Sequence, residues 1–425
     1  MGEKYIRSSV NHWRVLRVTN ALRGCGSHQK GNHAVTGGRV SGFIGAMRET
    51  PGCADYRGDA SGMTVQNIDL RVVAIGPMPP PLHGQSVVMS GMVAELSRVF
   101  PRMSLVDTGE RNSHRPVQLL TKIGGSFEAA LRAARADVVY ISVKAGKGMW
   151  LTAMVAGAAR LAGARVFLHH HGYVYIQERK ARMVVLNRAA GVNAHHIVLS
   201  RSMMEDLLSA MPEITRVLVL NNSRWIDRSL LTLPLKPEGG ELVLGHLSNL
   251  SVAKGIVEVV DLAVRLKTAG SQVRLIVGGP AAGKQARAEI ERAARELGEL
   301  FEYRGRLLGG KKRDFFNDIT HFVFPSHNEA LPLVLYEAMA SGVTCLTTRV
   351  GSIAEQVEGS TAEVAEGAGS FVAEVLPRLI GASPSGLASE NSRRAYLRAL
   401  NESDEQLNNL IGLFCTASPL PQEET

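Results

Sequence analysis

Strand-like and helix-like segments alternate along this chain, and the alternation starts twice. The sequence therefore predicts an α/β protein with two parallel sheets, since parallel neighbours need a long crossover and a helix is the usual one. Three observations carry that expectation. Short aliphatic runs such as Val72-Val73-Ala74-Ile75 and Val273-Arg274-Leu275-Ile276-Val277 lead into polar or glycine-rich turns and then into apolar residues at helical spacing. A stretch rich in proline and glycine, from Leu231 to Gly240, divides the first series from the second. The length of 425 residues also exceeds one ordinary domain.

Composition narrows the class. Hydrophobic residues make up 45% and charged residues 20%, an ordinary globular balance. Aromatics at 5% leave too few rings for a single-stranded nucleic-acid platform, so no nucleic-acid partner is expected. Of the net charge of +9, more than half sits in residues 1–62, which hold nine Lys or Arg against four Asp or Glu. The remaining excess suits anionic ligands or an acidic membrane surface and demands neither. Cys25, Cys53, Cys345 and Cys415 form no C-x-x-C pair, which points to a reducing, cytoplasmic compartment without a disulfide framework. Val72 to Ala94 carries no charge, but its four prolines, histidine and glutamine exclude a membrane span. The opening residues lack the apolar core of a cleavable signal.

Residues 1–62 show no sustained apolar period and cannot bury enough surface to offset their ordering entropy. They are expected to be a disordered, dispensable extension, with Met63 a candidate for the true start. The first folded half, 63–233, opens with a strand over Ile68 to Ile75. A proline-stiffened loop follows, in which Gly84, between His83 and Gln85, would let the backbone approach a ligand; a helix then runs from about Ser86 to Val99. This loop is not a G-x-G-x-x-G fingerprint, so no nicotinamide or flavin site is indicated. Strands are predicted at Ala136–Val143, Ala164–Leu168, His196–Leu199 and Arg216–Leu220, with helices at Met149–Leu161, Ile176–Ala190 and from Ser202. The run His169-His170-His171-Gly172 ends one of these strands. Successive residues of an extended strand point to alternate faces, so the three imidazoles cannot ligate one ion, while His169 and His171 share a face.

The second half, 241–390, repeats the pattern. Strands are predicted at Glu241–Leu247, Val273–Val277, Phe301–Tyr303, Thr320–Phe324 and Val343–Thr347, with helices at Gly255–Lys267, Ala281–Leu297 and near Lys311–Asp318. A terminal helix, within 391–415, occupies about Ser392 to Leu413, and the last ten residues are expected to fray. The most informative stretch is Ser326-His327-Asn328-Glu329-Ala330-Leu331-Pro332-Leu333-Val334-Leu335-Tyr336-Glu337-Ala338-Met339-Ala340-Ser341-Gly342. It reads as strand, polar loop, then helix, with Pro332 in the first helical turn and Gly342 as the stop. A helix N-terminus at a strand's carboxyl end offers free N–H groups and partial positive charge to a phosphate. An acid in the loop, Glu329, can accept hydrogen bonds from sugar hydroxyls, and one about a turn into the helix, Glu337, can clamp a ribose diol; on spacing alone the pair can equally be solvated surface acids.

This run resembles the signature of retaining, family-4-type glycosyltransferases: two glutamates bracketing seven residues, a Leu-Pro-Leu turn, and a Glu-Ala-Met-Ala-x-Gly helix. Leu247-Ser248-Asn249-Leu250-Ser251-Val252-Ala253-Lys254-Gly255 is similar to that family's turn ending in Lys-Gly, although Ser248-Asn249 stands where an arginine is frequent. The resemblance implies the GT-B fold, two Rossmann-like domains facing across a cleft, with the terminal helix crossing back to the first. It implies transfer of a sugar from a UDP- or GDP-linked donor to an acceptor hydroxyl with retention of configuration. Donor contacts would fall to Gly84, Lys254, Asn249, Glu329, Ala330, Leu331, Pro332, Leu333 and Glu337. His171 would sit near the reacting centre with Glu329, and His169 would be second in line. Glu355 matches a family position with a structural role, and Lys311, Lys312, Arg313 and Arg349 are expected to be solvated. No Asp-x-Asp pair stands at a strand end, so no metal and no other cofactor is expected.

The expected acceptor is a glycan or a lipid-linked glycan of cell-surface polysaccharide or glycolipid synthesis. Peripheral contact with the inner face of the membrane would then run through Arg179, Lys180 and Arg182. Two alternatives stay open on the residues alone: a non-catalytic nucleotide-sugar-binding protein, and a nucleotide-sugar epimerase on the same fold.

Overall fold

The structure, a computed structural model, describes residues 69–109, 125–281 and 283–415. The expected extension 1–62 and the residues expected to fray after 415 lie outside the described residues. Two six-stranded sheets organise the chain, and every strand pairing in them is parallel. The first holds β1 (Arg71–Gly76), β2 (Arg102–Asp107), β3 (Val138–Val143), β4 (Arg165–His170), β5 (His195–Val198) and β6 (Val217–Val219), in the order β2-β1-β3-β4-β5-β6. The second holds β7 (Leu242–Leu247), β8 (Val273–Gly278), β9 (Phe301–Gly305), β10 (His321–Phe324), β11 (Thr344–Thr348) and β12 (Glu363–Ala365), in the order β12-β11-β10-β7-β8-β9. Strands covered on both faces read as nearly unbroken apolar runs, as β1 and β3 do.

Helices cover both faces of the first sheet. On one side α1 (Gly84–Val99) packs through Val88, Met89, Met92 and Leu96 on Val72, Ala74, Tyr140 and Phe167. On the other lie α2 (125–133), α3 (Gly148–Leu161), α4 (Ala181–Ala190) and α5 (Arg201–Ala210), with Ala133, Ala153, Met183 and Met203 on Ile75, Ile141 and Leu168. The second sheet is covered by α6 (Ile256–Thr268), α7 (Gly283–Leu297), α8 (Gly310–Asp318), α9 (Leu333–Ala340), α10 (Ile353–Gln356) and α11 (Ala368–Leu379). Strand order reverses between β1 and β3 and again between β7 and β10. At such points the loops after neighbouring strands diverge and leave a crevice beyond the carboxyl ends.

The last helix, α12 (Gly386–Cys415), serves both sheets. Ala395, Tyr396 and Leu400 join the cluster containing Leu335 and Tyr336, whereas Leu407, Leu410 and Phe414 join the core of the first sheet. Phe414 is fully buried against Phe167, with ring centroids 4.4 Å apart, and lies near Phe100 at 5.9 Å. The Arg165 guanidinium donates to the carbonyls of Leu413 and Phe414, 2.7 Å each, and so satisfies two of the carbonyls a helix end leaves open.

Several boundaries differ from those the sequence suggests. The helix expected from Ile176 starts at Ala181, because Tyr173, Tyr175 and Ile176 turn inward and bury in an irregular segment. The terminal helix starts at Gly386 rather than Ser392, where the Glu238 carboxylate accepts the Gly386 N–H at 2.7 Å. Pro332 caps α9 in an extended conformation instead of standing in its first turn. The strand β2, the helices α2 and α11, and the short β12 have no counterpart in the sequence reading. In β2 the buried positions Met103, Leu105 and Val106 are broken by Ser104, and α11 carries Pro377.

A chain of neutral imidazoles ties β4, β5 and α4 together. Asn187 Oδ1 can only accept, so His196 Nε2 donates to it at 3.2 Å; His196 Nδ1 then accepts from His170 Nε2–H at 3.0 Å. His170 Nδ1 is left to accept the Tyr175 hydroxyl at 3.3 Å. Protonating either ring would destroy this order, and burial holds His170 well below the ordinary range and His196 down at about 3. Burial also lowers His246 and His321 to about 4.

These four histidines have folded-state values below the unfolded value of roughly 6.5, so the stability they confer is complete above that pH and is lost as pH falls. Each contributes a slope of about 1.4 kcal/mol per pH unit in that window, and denaturant midpoints should drop steeply from pH 7 to pH 5. A flat profile would contradict the assignment. Phe414→Ala should cost about 3 kcal/mol in the same assay, as expected for truncating a buried aromatic. A loss near zero would mean that α12 is not anchored on the first sheet.

Candidate active site

The loops at the two switch points meet. After β1 comes Gly84 with Gln85, and after β3 comes Ala145; from the second sheet come Glu329, Ala330, Leu331, Pro332 and Leu333. Together with His171 and Gly172 after β4, they line one cavity between the sheets. Gly84 has no positive φ and would have open space around a Cβ, so local backbone strain does not require glycine there. Gln85 reaches across to Ser142 Oγ at 2.9 Å and to the Val143 carbonyl at 3.2 Å, closing the floor between β1 and β3.

The wall from the second sheet is fixed from behind. The Ala330 carbonyl accepts the Ser352 N–H at 3.0 Å, the Leu331 carbonyl accepts Asn222 Nδ2 at 3.1 Å, and the Pro332 carbonyl accepts Gln356 Nε2 at 2.8 Å. In a trans peptide the N–H points opposite to the C=O, so the N–H groups of Leu331 and Leu333 turn toward the cavity that these residues line. They stand at the N-terminus of α9, where partial positive charge gathers. Two glycines permit the close approach. A Cβ on Gly351, whose φ is +58°, would lie 2.0 Å from the Glu329 carbonyl oxygen. One on Gly255, at φ +79°, would lie 2.3 Å from that of Pro325.

Lys254 ends the short helical turn after β7, and its ammonium pairs with Glu329 Oε1, which also accepts the Ser326 hydroxyl at 3.2 Å. The lysine thereby joins the cavity through its partner rather than through its wall. Glu337 lies one turn into α9 and is 6% exposed; burial raises its carboxyl, and the Lys312 ammonium bonded to Oε1 opposes that rise. Lys312 is thus not solvated as the sequence suggested, and Arg313 donates to Thr232 Oγ1 at 2.9 Å. Lys311 and Arg349 are exposed, Arg349 beside Glu366. Asn249 is exposed, makes no hydrogen bond among the described residues, and stands outside the cavity wall.

His171 lines the cavity, and its ring lies 4.1 Å from that of His169, as a shared strand face requires. Burial, with a smaller contribution from His83, lowers His171 to about 3, so it is neutral at working pH. Tyr140 hydrogen-bonds His169 Nδ1 at 2.5 Å, which leaves Nε2 of His169 and Nε2 of His171 buried without partners. The histidine chain through His170 and Tyr175 holds the turn that carries His171. Glu355 accepts the N–H groups of Arg201 and Ser202 at 2.8 and 2.9 Å, capping α5 across the two halves, and Ser352 Oγ meets Ser200 Oγ at 2.5 Å.

Sequence reasoning missed Lys312, Ser352, Asn222 and Gln356. No spacing rule singles them out, because each acts on a residue distant in the chain. Arg179 and Lys180 pair with Glu213 and Glu178, and Arg182 is half-buried, so the basic residues expected to face a membrane are largely neutralised or turned in. Among the described residues no helix is long and apolar enough to cross a membrane, and no group of three or more His, Cys, Asp or Glu could hold a metal ion.

Known proteins resemble this chain in sequence and in fold. The family model of the glycosyl transferases group 1 matches residues 234–366. The putative glycosyltransferase EpsF of Bacillus subtilis is 29% identical over 228 residues, 49% of this chain, and the match spans 56% of that relative's length. Alpha-maltose-1-phosphate synthase of Mycobacterium tuberculosis is 26% identical over 314 residues, 66% of this chain and 79% of that protein. Among solved structures, HepE of Anabaena in complex with UDP has a TM-score of 0.60 at 15% identity, covering 81% of this chain and 100% of that one. Sucrose-phosphate synthase from Thermosynechococcus elongatus gives 0.62 at 17%, covering 82% and 100%. At these identities the structural likeness concerns the fold, two α/β halves in the GT-B arrangement. The segment matched by the family model of the glycosyl transferases group 1 carries Lys254, Glu329 and Glu337, so the likeness to that family falls on the residues that gather at the cavity and at the start of α9.

Proposed function

We propose that the protein is a retaining glycosyltransferase that moves a sugar from a nucleoside-diphosphate donor to an acceptor hydroxyl. One observation carries this reading: Glu329 and the stretch Ala330 to Leu333 line one cavity, beside Lys254 and the N-terminus of α9. A diphosphate leaving group brings negative charge, and fixed dipoles with one cation stabilise such charge without reorganising. The diphosphate would replace Glu329 as the partner of Lys254, freeing that carboxylate for the sugar hydroxyls. Glu337 would accept the two ribose hydroxyls. Solved neighbours of the same fold were captured with UDP and with UDP-glucose, which supports a nucleotide sugar as donor.

In the proposed reaction the bond from the anomeric carbon to the phosphate oxygen breaks and the acceptor oxygen bonds to the same face of that carbon. The acceptor proton passes to the departing phosphate oxygen. His171 stays neutral throughout, so its buried Nε2 serves as a hydrogen-bonding group to the donor sugar rather than as a charged acid. Gly84 gives the donor close access to the start of α1, where a side chain would otherwise project. The acceptor side falls to the first half of the chain, and a glycan or lipid-linked glycan of cell-surface synthesis suits that assignment.

Glu329→Ala should lower donor turnover by about two to three orders of magnitude, the range seen when a group stabilising the transition state is removed. Its melting temperature should change little, since Lys254 is left partly exposed. Near-normal turnover of UDP- and GDP-sugars would remove the sugar-site assignment. Lys312→Met should weaken UDP binding about tenfold at the acid end of the enzyme's working range, because burial then raises the Glu337 carboxyl with no ammonium to oppose it. Affinity should recover as pH rises. Calorimetric titration at several pH values tests this, and unchanged affinity at all of them would separate Glu337 from the ribose.

A further inference from the structure

Helices α3 and α4 pack together on one face of the first sheet, α2 meets α3 where Ser126 and Ala129 face Leu151 and Val155, and the inner faces of all three fill the core. Their outer faces are also apolar. On α2, Phe127 and Leu131 are 62% and 48% exposed; on α3, Trp150, Met154 and Leu161 are 50%, 45% and 90% exposed. Val185 on α4 and Val192 just beyond it add to the same side. The spacings of four and seven put the α2 set and the α3 set each on a single helical stripe, the stripe that a surface helix ordinarily gives to polar residues. Adjacent apolar stripes of this kind mark an interaction surface.

The charge around the stripes identifies the partner. Residues 125–192 contain ten Lys or Arg against three Asp or Glu. All three acids are already matched, Glu128 by Arg132, Asp137 by Arg71 and Glu178 by Lys180. Arg135, Lys147 and Arg160 are exposed and have no ion-pair partner among the described residues, while the exposed Arg188 lies within the field of Glu213. Lys147 lies on the Trp150 stripe, while Arg160 and Arg188 flank Leu161 and Val185 and are joined by a hydrogen bond from the Arg160 guanidinium to the Arg188 carbonyl, 3.0 Å. Rings and aliphatic chains between unmatched cations suit acyl chains beneath phosphate headgroups. A second copy of this chain is a poorer fit, because a two-fold contact sets the same cations against each other.

We propose that the outer face of α2, α3 and α4 docks on an anionic lipid bilayer. The face also lies close to the cleft in the chain: Ala145 lines the cavity, and Lys147 caps the start of α3, which begins three residues after Ala145. A bilayer held there would present a lipid-borne acceptor to the cavity. That last clause rests on the reading of the cavity as a glycosyl-transfer site; the docking itself does not.

The test is co-sedimentation of the full chain with vesicles of phosphatidylcholine alone and of phosphatidylcholine mixed with phosphatidylglycerol. The expected result is binding to the mixed vesicles, weakened by salt, and about tenfold weaker for Trp150→Ser with Met154→Ser. Lys147→Glu with Arg160→Glu should lose the preference for phosphatidylglycerol. Both pairs should keep the melting temperature of the parent, since the side chains are exposed, and should turn over donor with a soluble acceptor as the parent does. No binding to mixed vesicles at low salt would overturn the proposal, as would equal binding by parent and variants. So would a dimer in light scattering that Trp150→Ser dissolves, since the face would then belong to a second copy. Loss of donor turnover by Glu329→Ala is independent of all these outcomes, so the two readings fail separately.

Discussion

Everything assembled around the cavity depends on a short piece of main chain, Pro325 to Pro332, being held rigidly from its far side. Three consecutive carbonyls are tied back by Ser352, Asn222 and Gln356. The turn after β7 locks onto the same piece, with His327 N–H donating to the Ala253 carbonyl at 3.0 Å. The packing is tight enough that Gly255 and Gly351 admit no side chain. Groups held in this way need not reorient when a ligand arrives, and this preorganisation gives fixed dipoles their value in a water-poor site. Asn222 belongs to the first half of the chain, so the wall is completed only when the two halves are in contact.

The electrostatics around the cavity follow from burial and pairing. Glu337 is costly to keep ionised alone and has acquired Lys312, while the more accessible Glu329 is paired with Lys254. Removing one member of a buried pair leaves the other uncompensated, which costs more than the pair itself contributes. An incoming anion can take over one of these lysines without that penalty, because the ammonium exchanges one negative partner for another. The two acids differ in access. Glu329 reaches the cavity, whereas Glu337 is almost wholly enclosed and its ionisation depends on Lys312.

Much of this was legible in the sequence because the signals were local. Alternation of strand and helix announced the α/β class, and the stretch from Ser326 to Gly342 placed a helix N-terminus beside Glu329. Gly342 does adopt the left-handed conformation that ends α9, with φ +69°. Shared faces on a strand foretold the contact of His169 with His171. The misses are non-local. Lys312 reads as a surface lysine until tertiary packing brings it to Glu337, twenty-five residues later in the chain. The edge strands β2 and β12 carry weak patterns because the sheet supports them more than their own propensities do. The tyrosines at 173 and 175 shortened α4 because burying two aromatic side chains outweighs one more helical turn.

The thirty residues of α12 form a strut of about 45 Å that is built into both cores at once. Its middle packs beside Tyr336, and its far end is seated on Phe167 and gripped by Arg165. The polypeptide therefore passes between the halves at two places, through the segment near Pro234 and through this rod. Rotation about an axis through both passages would disturb few of these contacts, whereas sliding or wide separation would pull aromatic side chains from their sockets. A swing that keeps both passages intact would therefore pivot on a helix that stands outside the cavity wall.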